Sequence, residues 1–250
     1  MKDKTIISAT IVLYKEDINT LQKTINCFLK TPMVKKLYLV DNSPTNKLQD
    51  KFDHPEIEYI FNGKNKGFGK AHNVVIPKLT SKYHLILNPD ITFEPGVIPN
   101  LINELKKQKK VSMISPKVVY PNGELQYICR RNPTFFELVY RRLGIKKEFT
   151  QQREYRNQDL SKPFHPEFIH GCFMLFKTED FKSIKGFDER YFLYMEDADI
   201  CRKITNTKNK ILYFPSEKIT HIHQRESSKK MKLFYHHLIS AIKYAHKWQF

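Results

Sequence analysis

An open, mostly parallel α/β sheet is the fold this sequence predicts, and three observations predict it. Short apolar runs alternate with segments of helical period through the first half of the chain, as strand–helix–strand units require. The first run, Ile6–Tyr14, suits a strand covered on both faces. Polar and acidic clusters then stand at the ends of successive predicted strands, where an open α/β sheet gathers its ligands.

Composition agrees with such a domain. The chain has 250 residues, 40% hydrophobic and 13% aromatic, enough for a real core and against global disorder. Only 8 glycines exclude a collagen-like or glycine-linker architecture. Cys27, Cys129, Cys172 and Cys201 are scattered and form no CxxC pair. That excludes a zinc ribbon, argues against a disulfide scaffold and suits a reducing cytosol. No apolar run approaches the ~18–20 residues of a membrane span. The N-terminal run leads directly into Lys15-Glu16-Asp17 without a small-residue cleavage site, so it reads as a strand and not as a signal peptide. The net charge of +17 calls for an acidic partner: nucleic acid, anionic lipid or a phosphorylated substrate.

The elements follow in order. After the first strand, Asp17–Lys30 carries Ile18, Leu21, Ile25, Phe28 and Leu29 at helical spacing and stops at Thr31-Pro32. Lys36–Val40 is a second strand running into the turn cluster Asp41-Asn42-Ser43-Pro44. Ile57–Phe61 is a third strand, Gly69–Leu79 a helix despite Pro77, and Tyr83–Leu87 a fourth strand ending at Asn88-Pro89-Asp90. Pro95–Lys107 is a helix and Val111–Tyr120 a strand. Arg130–Arg156 is basic, interleaved with Phe135, Phe136, Tyr140 and Phe149, and lacks a period; it reads as an insertion or lid. Phe168–Phe176 resumes as a strand, Thr178–Ile184 and Asp197–Thr205 as helices, Ile211–Phe214 as a strand and Ser228–Lys247 as an amphipathic helix.

Several groups carry chemistry. Each acid or amide at a strand end is, alone, as well explained by turn and N-cap preference, but three at successive strand ends point to one site. Asp90 offers the oxygen ligand that Mg²⁺ or Mn²⁺ prefers when bridging phosphates. Asn65-Lys-Gly67-Phe-Gly-Lys-Ala-His-Asn73 opens a helix with glycine and lysine, a phosphate-compatible loop that is equally a plain turn. The densest acidic cluster, Glu196, Asp197 and Asp199, lies among aromatics, where like charges and burial perturb pKa values as acid–base sites require. Thr220-His221-Ile-His223 places its two histidines on opposite faces of a strand.

The stretch Gly186-Phe-Asp-Glu-Arg-Tyr-Phe-Leu-Tyr-Met-Glu-Asp-Ala-Asp-Ile-Cys201 resembles the inverting family 2 glycosyltransferases, in their rhamnosyltransferase-like branch. The likeness extends to Ala9–Tyr14, Val40-Asp-Asn42, Asn65–Asn73, Asn88-Pro-Asp90, His170–Leu175 and His221–Ser227 in the same order and spacing. It implies a single GT-A domain over residues 1–250. In that reading residues 1–120 are the nucleotide-sugar-binding half, 121–227 the acceptor and catalytic half, and 228–250 a basic C-terminal helix. It further implies that Thr10, Tyr14 and Asp41 hold base and ribose, and that Asn65, Gly67 and Asn73 shape the nucleotide pocket. Asn88 and Asp90 stand for the family's DxD metal motif, with asparagine replacing the first acid, so one carboxylate of the motif remains for Mg²⁺ or Mn²⁺. Asp197, in the Glu196-Asp197 pair, aligns with the catalytic base, and His221, or else His223, with the late metal- or diphosphate-binding histidine.

The activity expected from the resemblance is inverting transfer from a nucleotide sugar, dTDP-rhamnose favoured over UDP-hexose. The expected acceptor is a lipid-linked saccharide of bacterial surface polysaccharide synthesis. The expected location is the cytoplasm, peripheral on the inner face of the cell membrane. Lys106–Lys110, Arg130–Arg156 and the C-terminal helix, with Lys229, Lys230, Lys232, Lys243, Lys247 and Trp248, would meet the anionic membrane surface. A basic nucleic-acid binder is the rival class, but no nucleic-acid module is recognisable and no specific nucleic-acid partner is expected.

Overall fold

The computed structural model describes residues 6–134, 151–222 and 231–248. Most of the basic segment around residues 135–150, together with His223 and residues 224–230, lies outside them.

One eight-stranded sheet organises the chain. Its strands are β1 (Ile7–Leu13), β2 (Lys35–Asp41), β3 (Ile57–Phe61), β4 (Tyr83–Leu87), β5 (Ile91–Thr92), β6 (Val111–Val119), β9 (Phe173–Lys177) and β10 (Lys210–His221). They lie in the order β3-β2-β1-β4-β9-β6-β10-β5. The β3-β2-β1-β4 half and the β6/β10 pair are parallel, while β9 runs antiparallel between β4 and β6. Strands from both halves of the chain thus share one sheet. β7 (Cys129–Arg130) and β8 (Phe168–Ile169) form a separate ribbon.

The helices are α1 (Ile18–Leu29), α2 (Phe68–Asn73), α3 (Val97–Lys107), α4 (Thr178–Ser183), α5 (Glu196–Asn206) and α6 (Met231–Trp248). Asp17 caps α1 by accepting the Thr20 N–H at 2.8 Å, which satisfies one orphan donor of the first turn. The helix then buries Leu21, Thr24, Ile25 and Phe28 on one face. β1 is buried on both faces: Ile7, Ala9, Ile11 and Leu13 are fully inaccessible, and Ser8 and Thr10 meet His84 of β4 on the other side.

Three elements differ from the sequence expectation, each for a local reason. The run Phe168–Phe176 is two strands in two sheets, broken by a turn at His170–Cys172. There the Gly171 backbone approaches the Phe68 ring and Asp197, each 3.5 Å from where a Cβ would stand. β10 does not stop at Phe214 but continues through Pro215 to His221, because a register shift absorbs the proline's missing donor. The expected helix over residues 69–79 is the short α2 followed by a 3₁₀ turn at Ile76–Lys78, where Pro77 is accommodated in a first turn.

Candidate active site

The candidate groups gather along the edge formed by the carboxyl ends of β1, β2, β4 and β10 and the start of antiparallel β9. Asn88-Pro89-Asp90 leaves β4, and three bonds fix it. The Asn88 N–H donates to the Cys172 carbonyl at 2.9 Å. The Thr24 hydroxyl, on the buried face of α1, donates to the Pro89 carbonyl at 2.7 Å and accepts the Ile91 N–H at 3.1 Å. Thr24 is a functional support that the sequence reading missed; its signal is a lone hydroxyl on an otherwise apolar helix face.

β10 delivers His221 to the same place, its Nε2 3.2 Å from Asp90 Oδ1. Gln126 sets the orientation of this ring. Its amide nitrogen donates to the carbonyls of His221 (2.6 Å) and Val119 (3.4 Å), so its Oε1 is left to accept the His221 Nδ1–H at 3.0 Å. Nε2 therefore faces the carboxylate. Burial disfavours a charged His221, but Asp90 and Cys172 outweigh that and hold its pKa at about 10. Asp90 and His221 thus form a locus for positive charge, proton or cation. A carboxylate oxygen and an imidazole nitrogen with its other nitrogen tied down fit a divalent ion such as Mn²⁺. No cluster of three side-chain ligands occurs among the described residues, so the remaining coordination positions would fall to phosphate oxygens and water.

The acidic cluster opens α5. Tyr194 and Met195 both take left-handed backbone angles, φ 70° and 68°, a strained entry that turns the chain sharply into the helix. Asp197 lies at the rim with its side chain 18% exposed, and its Oδ2 accepts from His170 Nδ1 at 3.1 Å. Burial alone would raise its pKa; the His170 bond and the N–H groups of Ala198 and Gly171 outweigh it and hold the carboxyl below its usual range. Glu196 is the opposite case. Its Oε2 is buried without a partner, and burial, then the Asp197 charge, push its carboxyl well above the usual range. Asp199 is fully buried and points away from the rim to Lys247 and Trp248 of α6, at 2.7 and 2.9 Å. The three acids thus divide into an ionised rim group, a protonated wall group and a structural anchor.

The expected nucleotide-side residues also divide. Tyr14 is 46% exposed at the end of β1 and available to a ligand. Asn65 is exposed and accepts the Gly67 N–H at 2.9 Å, while Asn42 donates to the Gly67 carbonyl at 3.1 Å. Asp41 is fully buried, and its carboxylate accepts from the Ser43 N–H and the Tyr59 hydroxyl, so it shapes the floor of the edge rather than facing out of it.

Two expectations are corrected. Thr10 sits in mid-strand with its hydroxyl 3.2 Å from His84 Nε2, fully buried and out of a ligand's reach. Asn73 spends its amide on the Phe187 backbone, donating to the carbonyl at 2.8 Å and accepting the N–H at 2.9 Å. With Gly67, whose φ of +86° and approach to the Phe192 carbonyl admit no side chain, Asn73 sutures α2 to the segment leading into α5. The 65–73 loop is thus first a dock for the acidic motif.

Residues 8–185 match the family model described as Glycosyl transferase family 2. The chain belongs to glycosyl transferase family 2. Residues 153–237 also match a model described as the N-terminal domain of galactosyltransferase. Among curated relatives, the family 2 chain is 25% identical over 67% of its length to the N-acetylglucosaminyl-diphospho-decaprenol L-rhamnosyltransferase of Mycobacterium tuberculosis, covering 59% of that protein. It is 26% identical over 84% of its length to the rhamnosyltransferase WbbL of Escherichia coli K12, covering 81% of it. A third relative is the low-salt glycan biosynthesis hexosyltransferase Agl10 of Haloferax volcanii, 27% identical over 78% of the chain and 60% of that protein. The chain therefore spans about three fifths of two of these relatives.

Solved structures show the same GT-A fold. GalNAc-T7, crystallised with UDP, GalNAc and Mn²⁺, superposes with a TM-score of 0.70 at 18% identity, over 89% of this family 2 chain and 44% of that one. The mannosyltransferase PcManGT from Pyrobaculum calidifontis, in complex with GDP-Man and Mn²⁺, gives 0.68 at 14% identity, over 98% and 65%.

Proposed function

We propose that this family 2 protein transfers a sugar, with inversion, from a nucleotide-diphosphate donor to a hydroxyl of a lipid-linked glycan. The observation that carries the reading is the three-residue turn His170–Cys172, which ties the two halves of the site together. His170 holds Asp197, while the Cys172 carbonyl holds Asn88 beside the Asp90–His221 pair. A proton acceptor and a locus for positive charge thus share one rigid support. That is the pair of groups that displacement of a diphosphate by a hydroxyl needs.

In this reading Tyr14, Asn65 and Asn88 line the nucleotide side, with Asp41 and Gly67 shaping it from beneath. Asp90 and His221 would hold Mg²⁺ or Mn²⁺, which when bound neutralises charge on the diphosphate leaving group. Asp197 accepts the proton of the acceptor hydroxyl as that oxygen bonds to the anomeric carbon. The bond from that carbon to the diphosphate oxygen breaks, and its electron pair leaves with the diphosphate. One displacement inverts the centre and uses no protein nucleophile. Glu196, kept neutral, leaves Asp197 as the ionised member of the pair.

The names of the Mycobacterium and Escherichia relatives favour a rhamnosyl donor and the Haloferax name a hexosyl one; we take dTDP as the nucleotide of the first and UDP as that of the second. The first of those names also supports a polyprenyl-diphosphate acceptor and hence work at the inner face of the cell membrane. The first test is thermal stabilisation by dTDP, UDP and GDP, each with and without Mn²⁺. A ligand that binds only the native state raises its melting temperature. Stabilisation by one nucleotide that requires Mn²⁺ and disappears in Asp90→Ala supports the reading. Stabilisation that is identical in EDTA and in Asp90→Ala removes the metal site.

A further inference from the structure

His170 touches Asp197, the proposed base, yet neither the metal locus nor the nucleotide side uses it. Its other nitrogen is also engaged: Arg130 Nε donates to His170 Nε2 at 2.7 Å. A guanidinium has no lone pair and stays protonated, so Nε2 must be the acceptor. The single imidazole proton then lies on Nδ1, aimed at Asp197 Oδ2 3.1 Å away. Arg130 is held in turn by Glu154, at 2.7 Å, whose side chain is 8% exposed and which also pairs with Arg156 at 2.6 Å.

We propose that His170 is a positioning residue for Asp197, locked by Arg130 as a neutral Nδ1–H donor that orients the carboxylate and keeps it ionised. The inference deepens, and rests on, the assignment of Asp197 as proton acceptor. An imidazolium at this place would need a second proton on Nε2, pointing into the guanidinium, which the 2.7 Å contact forbids. The neutrality has a chemical use. A neutral donor stabilises the carboxylate by one hydrogen bond, whereas a full positive charge in contact would depress its basicity much further.

The other groups facing Asp197 cannot do this. Glu196 and Cys201 on α5 are both raised by its charge, in addition to burial, and from α2 comes the Phe68 ring near Gly171. The backbone N–H groups of Ala198 and Gly171 help hold the charge. His170 is the side-chain donor to Asp197 among the described residues. The chain Glu154–Arg130–His170–Asp197 also links the base to the two ends of the basic segment Arg130–Arg156, in the half expected to face the acceptor.

Two readouts test this. The first needs no substrate: long-range ¹H–¹⁵N spectra of the wild-type protein, with the His170 signals assigned by their loss in His170→Asn. The expected result at neutral pH is an unprotonated Nε2 and a protonated Nδ1. In Arg130→Met, which removes the donor to Nε2, the ring should no longer be held in that one tautomer and should show proton occupancy at Nε2. A proton on wild-type Nε2, or an Arg130→Met ring that stays wholly in the Nδ1–H tautomer, overturns the proposal.

The second is the pH profile of kcat/KM for transfer, with the donor found in the nucleotide screen. His170→Ala should move the acid limb up by about one pH unit, as loss of one bond to a charged group requires. His170→Asn, whose amide can still donate, should keep the limb near the wild-type position. An unmoved limb in His170→Ala with only lower amplitude means a merely structural role and overturns the proposal. Asp197→Asn separates the two ideas. If it retains turnover, the assignment of the base is wrong; if it is inactive while the His170→Ala limb is unmoved, only the role of His170 fails.

Discussion

Glu196 and Asp197 are adjacent in sequence, yet their surroundings drive their carboxyls in opposite directions. Glu196 is buried with an unpartnered oxygen, whereas Asp197 is surrounded by donors. The consequence for stability has a definite sign. A carboxyl whose pKa is raised by folding contributes stability that is complete below its ordinary pKa and is lost as pH rises toward the folded value. Glu196→Gln, a neutral isostere, should therefore melt close to wild type at pH 5 and above it at pH 8, as read by thermal unfolding at both. A variant that loses the same stability at both pH values would show that Glu196 is ionised in the native protein. The sequence displayed the cluster of acids but could not divide it. The division depends on His170, 27 positions away, and on Lys247, 48 positions beyond Asp199.

At the scale of elements, α6 is the clearest revision. In the sequence Met231, Phe234, Tyr235, Leu238, Ile242 and Ala245 recur as one apolar face, expected to pack on the domain over much of its extent, with Lys243, Lys247 and Trp248 turned toward a membrane. In the structure Tyr235, Leu238 and Ile242 are 61%, 45% and 52% exposed, while Ala241, Tyr244 and Ala245 are buried. The polar anchors chose the face. Lys247 pairs with Asp188 and Asp199, Trp248 Nε1–H donates to Asp199, Ser240 donates to the Leu193 carbonyl and Lys243 to the Arg190 carbonyl. Hydrophobic periodicity identifies an amphipathic helix; the partners of a buried carboxylate decide which stripe turns inward.

Lys247→Met leaves the buried Asp199 charge short of its cation and should cost about 3–5 kcal/mol. Adding Asp199→Asn should recover much of that loss, as a double-mutant cycle by chemical denaturation would show. Additive losses in the double variant would mean that the pair does not interact. Strand placement was more legible than helix facing. β3 and β4 were bounded correctly, since continuous apolar runs between turn residues admit few alternatives. β8, β9 and β10 were not, because a glycine turn inside an apolar run and a proline inside a bulge are tertiary accommodations.

For the whole molecule, the net charge of +17 and the outward apolar stripe of α6 act together. No helix among the described residues is long and apolar enough to cross a membrane. The exposed Tyr235, Leu238 and Ile242, on a protein whose net positive charge is drawn to anionic lipid at about 1 kcal/mol per Lys or Arg near the surface, would hold the protein against a bilayer. The protein should therefore sediment with vesicles containing phosphatidylglycerol at low salt and be released at high salt. Serine at Tyr235, Leu238 and Ile242 should weaken that association. Equal, salt-independent sedimentation with neutral vesicles, or none with either, would remove the electrostatic mechanism.

The account centres on Asp197 as the group that takes the acceptor's proton. Its most direct test is turnover at saturating donor in Asp197→Asn, measured beside donor affinity by calorimetry. The substitution keeps shape but cannot accept a proton, so kcat should fall by about 10²–10⁴-fold while the donor Kd stays close to wild type. Undiminished turnover at saturation, with a weakened donor Kd, would place Asp197 in the binding site and contradict the account.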